Sequence, residues 1–379
     1  MKKVRIVVVI TARPSYSRVK TFISLLNSDN RIELLVVASA GSLIEKYGAV
    51  VNLIKNDGFN VVAELNNVLE GSTLRNSVTG VGLSLIQLSD CLKNLAPDYV
   101  ITIADRYETI ATAIASSYLN LKTIHIQGGE VTGSIDNKVR NAVSQLSDIH
   151  FVSTNEAYER LINMGFCSNM VFNTGCPSID LAREVMEDGE NLPIDFLSSI
   201  GTIGKNFCLD KDYMVVLQHP DTDQVENTYE QIHQSLLAVK EINMPTVIFW
   251  PNIDAGSDVI SKNLRIYINE NPNQKIKFVK NLEGKVFLKL LKQSKVLIGN
   301  SSVGIRECSF LGLPVVNIGN RQNQRERSQN VIDVDYNSSE IIQSIKKQLT
   351  HGLYESNRLY GDGFASIKMY NEVLKLLKS

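Results

Sequence analysis

A series of short apolar runs, rich in Val and Ile, punctuates the chain, with stretches of helical period between them. The runs are Arg5–Ile10, Glu33–Ala38, Tyr99–Ala104, Lys122–Ile126, Ile149–Val152, Tyr213–Leu217, Thr246–Trp250, Ile276–Val279, Val296–Ile298, Val315–Ile318 and Val331–Val334. They do not alternate strictly between apolar and polar residues, so each is expected to be covered on both faces. Strands covered in that way belong to parallel sheets with helices above and below. Segments such as Val19–Leu26 and Val286–Leu291 space their apolar residues at the helical period. The expected fold class is therefore α/β. At 379 residues the chain is too long for one typical core, and two domains are expected. The break is expected between Cys176 and Cys208, where the sequence is first charged and then contains Gly and Ser. A second strand–helix series starts at Tyr213.

Composition removes several classes. The net charge is −1 with no basic stripe, which argues against nucleic acid as a partner. Five cysteines (Cys91, Cys167, Cys176, Cys208 and Cys308) show no C-x-x-C spacing, so neither a metal centre nor disulfides are indicated. The start, MKKVRIVVVI, superficially resembles a signal peptide, but Arg5 interrupts it and no small-residue cleavage site follows. A buried parallel strand is the better reading. No apolar run approaches the ~20 residues of a membrane span. A soluble, cytoplasmic protein with no membrane partner is expected.

Residues 296–327 carry the most chemistry. An apolar run ends at Gly299-Asn300, two serines follow, and a helix-like stretch is predicted from Val303 to Phe310. A strand, a polar turn and a helix start form an anion-binding geometry, because the first N–H groups of a helix point outward with partial positive charge. Ser301 and Ser302 add hydroxyls, Glu307 can accept from ribose hydroxyls, and Arg321, Arg325 or Arg327 can supply guanidinium forks to phosphate. Plain N-capping would also place Asn and Ser here. Other polar clusters fall at strand ends. Arg13, Ser17 and Arg18 follow the first strand and read as an anion grip or a solvated loop; no G-x-G-x-x-G is present. Asp105, Glu130 and Asp136 read as acid/base carboxylates, with capping as the alternative for Asp105 and Asp136. Gly128-Gly129 permits close backbone approach to a ligand. His219, followed by Pro220 at a strand end, reads as a phosphate contact or proton donor, whereas His125, His150, His233 and His351 read as structural or surface groups. Cys176 and Cys308 read as small buried hydrophobes.

Taken in order, these motifs resemble the hydrolysing UDP-N-acetylglucosamine 2-epimerases of sialic- and legionaminic-acid synthesis. The residues that carry the resemblance are Arg13…Tyr16-Ser17-Arg18, Asp105-Arg106, Gly128-Gly129-Glu130-Val131, Ile135-Asp136, Gly175-Cys176-Pro177-Ser178, Leu217-Gln218-His219-Pro220, Pro251-Asn252-Ile253-Asp254-Ala255-Gly256-Ser257, Gly299-Asn300-Ser301-Ser302, Arg306-Glu307, Arg321-Gln322 and Tyr360-Gly361-Asp362-Gly363. The resemblance runs over essentially the whole chain. It implies a GT-B fold, with two Rossmann-like domains facing a cleft: 1–178 with the sugar-directed carboxylates, a linker at 179–208, 209–363 for UDP, and a final helix at 364–379 crossing back to the first domain. It also implies that Ser301, Ser302 and His219 contact phosphate, Glu307 the ribose and Asn252 the neighbourhood of the nucleotide, with Arg13, Ser17, Arg106 and Arg321 completing the grip. Relatives are homodimers or homotetramers. The implied reaction eliminates UDP across C1–C2 to a 2-acetamidoglucal and adds water back with C2 inverted. No cofactor is needed for it.

Two positions depart from the family pattern. Many relatives read His-Ile-Glu-Gly-Gly-Glu where this chain has His125-Ile126-Gln127-Gly128-Gly129-Glu130, so the family's catalytic Glu corresponds to Gln127, which cannot act as a base. Relatives often read His-Gly-Asp-Arg where Ile103-Ala104-Asp105-Arg106 stands here. Either the proton work falls to Asp105, Asp136 or Glu130, or the substrate differs. The expected substrate is UDP-N-acetylglucosamine, giving UDP and N-acetylmannosamine or a close analogue; the alternative is a UDP- or GDP-linked 2,4-diacetamido-2,4,6-trideoxy sugar, whose extra N-acetyl group an amide at Gln127 can bind. A non-hydrolysing 2-epimerase, a GT-B glycosyltransferase and a non-catalytic sugar-nucleotide sensor remain alternatives.

Overall fold

The computed structural model describes residues 2–205 and 207–377. The chain divides into two compact units. The first takes the chain up to Val131, Ile135–Leu181 and everything from Tyr360 onward; the second takes Thr132–Ser134 and Ala182–Leu359.

The first unit holds a seven-stranded sheet. Its strands are β1 (Val4–Ile10), β2 (Ile32–Ser39), β3 (Val61–Leu65), β4 (Tyr99–Ile103), β5 (Lys122–Ile126), β6 (Ile149–Val152) and β7 (Val171–Asn173). The order is β3-β2-β1-β4-β5-β6-β7, and every pairing is parallel. The interleaved helices are α1 (Arg13–Ser28), α2 (Val50–Asn56), α3 (Leu74–Leu95), α4 (Thr109–Tyr118), α5 (Ile135–Gln145), α6 (Asn155–Asn163) and α7 (Ser178–Asp188), which runs through the point of division. Ile6, Val8 and Ile10 pack on one face with Val19, Phe22 and Ile23 of α1, while Val7 and Val9 pack on the other with Leu88 and Leu92 of α3. Burial of both strand faces is what the non-alternating runs require.

The second unit contains α8 (Phe196–Ser199), β8 (Ile203–Gly204), β9 (Met214–Leu217), α9 (Thr228–Ile242), β10 (Thr246–Phe249), α10 (Ser257–Glu270), β11 (Ile276–Val279), α11 (Gly284–Gln293), β12 (Val296–Gly299), α12 (Ser302–Ile305), α13 (Glu307–Leu311), β13 (Val315–Ile318), β14 (Val331–Val334) and α14 (Ser338–His351). Its sheet order is β14-β13-β12-β9-β10-β11-β8, parallel except for the β11–β8 pair. The helix predicted over Val303–Phe310 is two short pieces, α12 and α13, broken at Arg306. The buried Arg306 side chain donates to Ser302 Oγ at 2.7 Å, a tie between the two pieces that apolar spacing cannot announce.

The last helix, α15 (Ala365–Leu376), belongs to the first unit. Its first N–H groups, on Ala365 and Ser366, donate to the two carboxylate oxygens of Asp180 at 2.8 and 2.7 Å. Met369 and Val373 enter the core beside α1, and Tyr370 donates to Asp29 at 2.7 Å.

In both sheets the chain winds outward, returns to the first strand and winds the other way. The reversal lies between β1 and β4 in the first unit and between β9 and β12 in the second. Open α/β sheets bind ligands outside the carboxyl ends of the strands at such reversals.

Candidate active site

In the first unit the polar turns after β1, β4 and β5 share one sheet edge. β4 and β5 each end on a non-glycine residue with left-handed backbone, Ala104 at φ 60° and Gln127 at φ 67°. Such conformations cost roughly 1–3 kcal/mol apiece and persist where neighbours impose them. Here those neighbours are identifiable. Ala104 N–H donates to Ile126 O at 2.8 Å and Gln127 N–H to Phe151 O at 2.8 Å. His125 Nε2 donates to the Ala104 carbonyl at 3.0 Å, and its Nδ1 then accepts from Ser144 Oγ at 3.1 Å. Burial holds this histidine neutral, its pKa lowered to about 4. His125 is structural, as expected, and its position explains why: it fixes the turn on which Asp105 sits.

Asp105 forms an ion pair with Arg140, which is fully buried on α5. The same guanidinium donates to the Glu130 carbonyl at 2.7 Å and to Asn137 Oδ1 at 3.4 Å. Arg140 thus ties the end of β4, the Gly128-Gly129-Glu130 turn and the start of α5 together. The Glu130 side chain is buried and that of Asp136, in the first turn of α5, is half-buried. Arg106 turns to Glu108, Nε to Oε1 at 2.7 Å. Gly129, at φ 75°, allows no side chain, because a Cβ would lie 2.3 Å from the Ala157 carbonyl oxygen. Arg13 starts α1 and Ser17 lies one turn further, both half-buried. Arg18 reaches Gln127, Nη1 to Oε1 at 3.2 Å.

The second unit builds its cluster around Asn300, which is fully buried just beyond β12. Asn300 Oδ1 accepts from His219 N–H at 2.7 Å, and Nδ2 donates to the His219 carbonyl at 2.9 Å. One side chain therefore joins the ends of β9 and β12 across the reversal. Gly299 makes this approach possible: it has φ 136°, and a Cβ there would sit 2.1 Å from the Leu217 carbonyl oxygen. His219 Nδ1 accepts from Asn252 N–H at 3.2 Å. The network therefore assigns the ring proton to Nε2, making that nitrogen a donor. The Asn300 carbonyl accepts from Arg321 Nη1 at 3.3 Å and Gln322 Nε2 at 2.9 Å. Ser301 caps α12 and Ser302 accepts from Arg306. Glu307 Oε2 is buried, has no hydrogen-bond partner among the described residues, and lies 3.8 Å from Arg306 Nε.

The structure thus gathers His219, Asn252, Ser301, Ser302, Glu307 and Arg321 in one unit, and Asp105, Glu130, Asp136, Gln127, Arg106, Arg13 and Ser17 in the other. Arg325 and Arg327 instead turn onto Gln322, Arg325 donating to its Oε1 at 2.9 Å and Arg327 to its carbonyl. Arg140, Asn300 as the organising side chain, Gln322 and Tyr336 (near Asn300, OH to Nδ2 3.5 Å) were not among the expected site residues. Arg140 had a signal: it falls in the apolar stripe of α5 beside Val139 and Val143, where a charge requires a buried partner.

Two doubly wound sheets with polar clusters at their reversals define an α/β protein of GT-B type. The chain belongs to the UDP-N-acetylglucosamine 2-epimerase family, whose profile matches residues 24–374. It is 32% identical to the UDP-N,N'-diacetylbacillosamine 2-epimerase (hydrolyzing) of Legionella pneumophila, over 98% of this chain and 96% of that one. It is 30% identical to the GDP/UDP-N,N'-diacetylbacillosamine 2-epimerase (hydrolyzing) of Campylobacter jejuni, over 89% and 86%. The fold matches that of the Methanocaldococcus jannaschii UDP-GlcNAc 2-epimerase, solved in complex with UDP-GlcNAc and UDP. That match has a TM-score of 0.80 at 17% identity and covers 99% of this chain and 100% of that one. Among the described residues no helix is long and apolar enough to cross a membrane.

Proposed function

We propose that the chain is a hydrolysing nucleotide-sugar 2-epimerase whose substrate is a UDP-linked 2-acetamido sugar, with UDP-N,N'-diacetylbacillosamine as the preferred one. The observation that carries the reading is the Asn300 frame at the β9/β12 reversal, which brings together the turns carrying His219, Ser301 and Arg321, side chains whose donors suit a diphosphate. The second unit takes UDP and the first takes the sugar. In the reaction a base removes the proton at C2, the C1–O bond breaks with its electron pair leaving on UDP, and a C1=C2 double bond forms. Water then delivers hydroxyl to C1 while a proton returns to the opposite face of C2, giving free UDP and the 2-epimeric sugar. Positioned donors stabilise the diphosphate as its charge grows. Gln127 cannot take the proton, so Asp105, Asp136 and Glu130 carry that work, with general-base catalysis contributing about 10²–10⁴-fold. Preference for the diacetamido sugar is supported by the two relatives at 30% identity or above that carry that name, against 26% for the UDP-N-acetylglucosamine 2-epimerase of Neisseria meningitidis. A cytoplasmic homodimer or homotetramer completes the proposal.

Proton NMR in D₂O tests it. Incubation with UDP-N,N'-diacetylbacillosamine is expected to give free UDP and deuterium at C2 of the inverted sugar. Deuterium with the diphosphate bond intact would indicate a non-hydrolysing epimerase, and binding without turnover of any UDP- or GDP-linked 2-acetamido sugar would overturn the enzyme reading.

A further inference from the structure

Gln127 is held as though the direction of its amide matters. Its backbone sits in the left-handed region at φ 67°, at the carboxyl end of β5, and its side chain is buried. One end of the amide faces Arg18 Nη1 at 3.2 Å and the other faces Cys176 Sγ at 2.8 Å. Arginine has donors and no acceptor, so chemistry settles which end is which: the oxygen faces Arg18 and the NH₂ faces the sulfur. Cys176 is itself placed by Ser178, with Sγ and Oγ 2.9 Å apart. An amide NH₂ carries two N–H groups, and Cys176 takes one. The second has no partner among the described residues. Gln127 stands at the end of β5, on the sheet edge that also carries Asp105, to which the proposed function gives proton work on the sugar.

Resting on that reading, we propose that Gln127 is a specificity-determining residue that donates this remaining N–H to the C4 acyl carbonyl of a 2,4-diacetamido sugar, and that Arg18 and Cys176 are the positioning residues that aim it. An acyl carbonyl accepts and cannot donate, so a fixed N–H complements it. A sugar with a free C4 amine, protonated at neutral pH, offers that N–H only further donors. A buried donor left without its acceptor costs free energy, which is how such a site rejects an analogue.

The experiment compares kcat/KM for UDP-N,N'-diacetylbacillosamine and for its analogue bearing a free amine at C4. The native protein is expected to favour the acylated sugar. Gln127→Glu replaces the N–H by a carboxylate oxygen and should lower that preference about tenfold or more, mainly through KM for the acylated sugar. Gln127→Met, of similar length and without an N–H, is the second variant, and native-like hydrogen-exchange protection in β4 and β5 shows that either has folded. Cys176→Ala frees the amide and should lower the preference, whereas Cys176→Ser keeps an acceptor and should restore it. A preference that is unmoved in both Gln127 variants overturns the assignment while leaving the epimerase reading intact. Equal behaviour of Cys176→Ala and Cys176→Ser overturns the positioning role of the sulfur. If the native protein turns over neither sugar, the functional reading itself has failed and this assignment with it.

Discussion

Between β1 and β4 the first unit holds its sheet reversal with charge. Asp105 is paired to a fully buried Arg140, Arg106 is paired to a buried Glu108, and left-handed Ala104 and Gln127 are locked by hydrogen bonds. Between β9 and β12 the second unit holds the equivalent place mainly with the neutral amides of Asn300 and Gln322. Buried ions are costly to desolvate and strongly destabilising when one partner is removed. Neutral amides anchor the backbone without adding negative charge at the proposed diphosphate site. The contrast suits the proposed division, with a carboxylate acting on a carbon acid in the first unit and nucleotide recognition in the second.

The largest expected effect tests the chemical half. Asp105→Asn should lower kcat about 10²–10⁴-fold, the range of a lost acid/base group. Isothermal titration with UDP should show affinity unchanged. An affinity loss as large as the loss in kcat would erase the division of labour between the units.

Arg140→Leu attacks the same region through stability. Removing the cation strands the carboxylate of Asp105 and leaves the Glu130 carbonyl without its donor, and breaking a buried pair in this way costs about 3–5 kcal/mol. Denaturant unfolding would measure the loss. Hydrogen exchange should accelerate in β4 and β5 and stay unchanged in β9 and β12. Equal acceleration in both sheets would show that the units do not differ as described.

Acid should separate the units with opposite signs. Burial lowers His125 to about 4 and His150 to about 3 from an ordinary 6.5. Both are neutral when folded and protonated when unfolded in that interval, so their contribution is intact above about 6.5 and is lost as pH falls toward 4. At about 1.4 kcal/mol per unit, His125 alone accounts for roughly 3 kcal/mol. Asp221 in the second unit is shifted upward by burial, so its folded form gains a proton more readily and acidification relieves its cost. Exchange protection measured at pH 7 and pH 4.5 should fall in β5 and β6 before it falls in β9 and β12. The reverse order would contradict the assignment.

Much of this fold was legible in the sequence. Lys122–Ile126, Ile149–Val152, Ile276–Val279 and Val315–Ile318 are strands with the expected bounds, because a Val/Ile run covered on both faces has few other outcomes. Val331–Val334 also keeps its expected bounds, although it is a half-buried edge strand. The strands that escaped are of a different kind. β3 is an edge strand that alternates in burial and contains Glu64, β7 has three residues, and β8 has two exposed ones. Strand order was not legible at all, since it depends on contacts distant in sequence, and the order is what puts a polar cluster at the reversal in each sheet. Within each cluster, residues at strand ends were recognisable, but residues that reach in from a helix or across the sheet were not. Arg140 reaches Asp105 from 35 positions away and Asn300 reaches His219 from 81. Cys176 was expected to be a small buried hydrophobe; it is buried, yet it accepts from Gln127, a contact that exists only once β5 and the turn after β7 are adjacent.

The smallest expected effect lies in the amide-held region. Asn300→Asp preserves size and still accepts from His219 N–H, but it no longer donates to the His219 carbonyl, and it places negative charge beside the proposed diphosphate site. The loss of one buried donor together with that repulsion should weaken UDP binding by about 1.5–3 kcal/mol, or roughly 10- to 150-fold. Because the frame acts on nucleotide binding, the defect should appear in KM, with kcat at saturating substrate close to native. His219→Ala, which leaves the frame without its Nε2 donor, should shift the same parameter in the same direction. If Asn300→Asp instead lowered kcat and spared KM, the amide frame would be taking part in the chemistry, and the contrast between a reversal held by an ion pair and a reversal held by amides would fail at its centre.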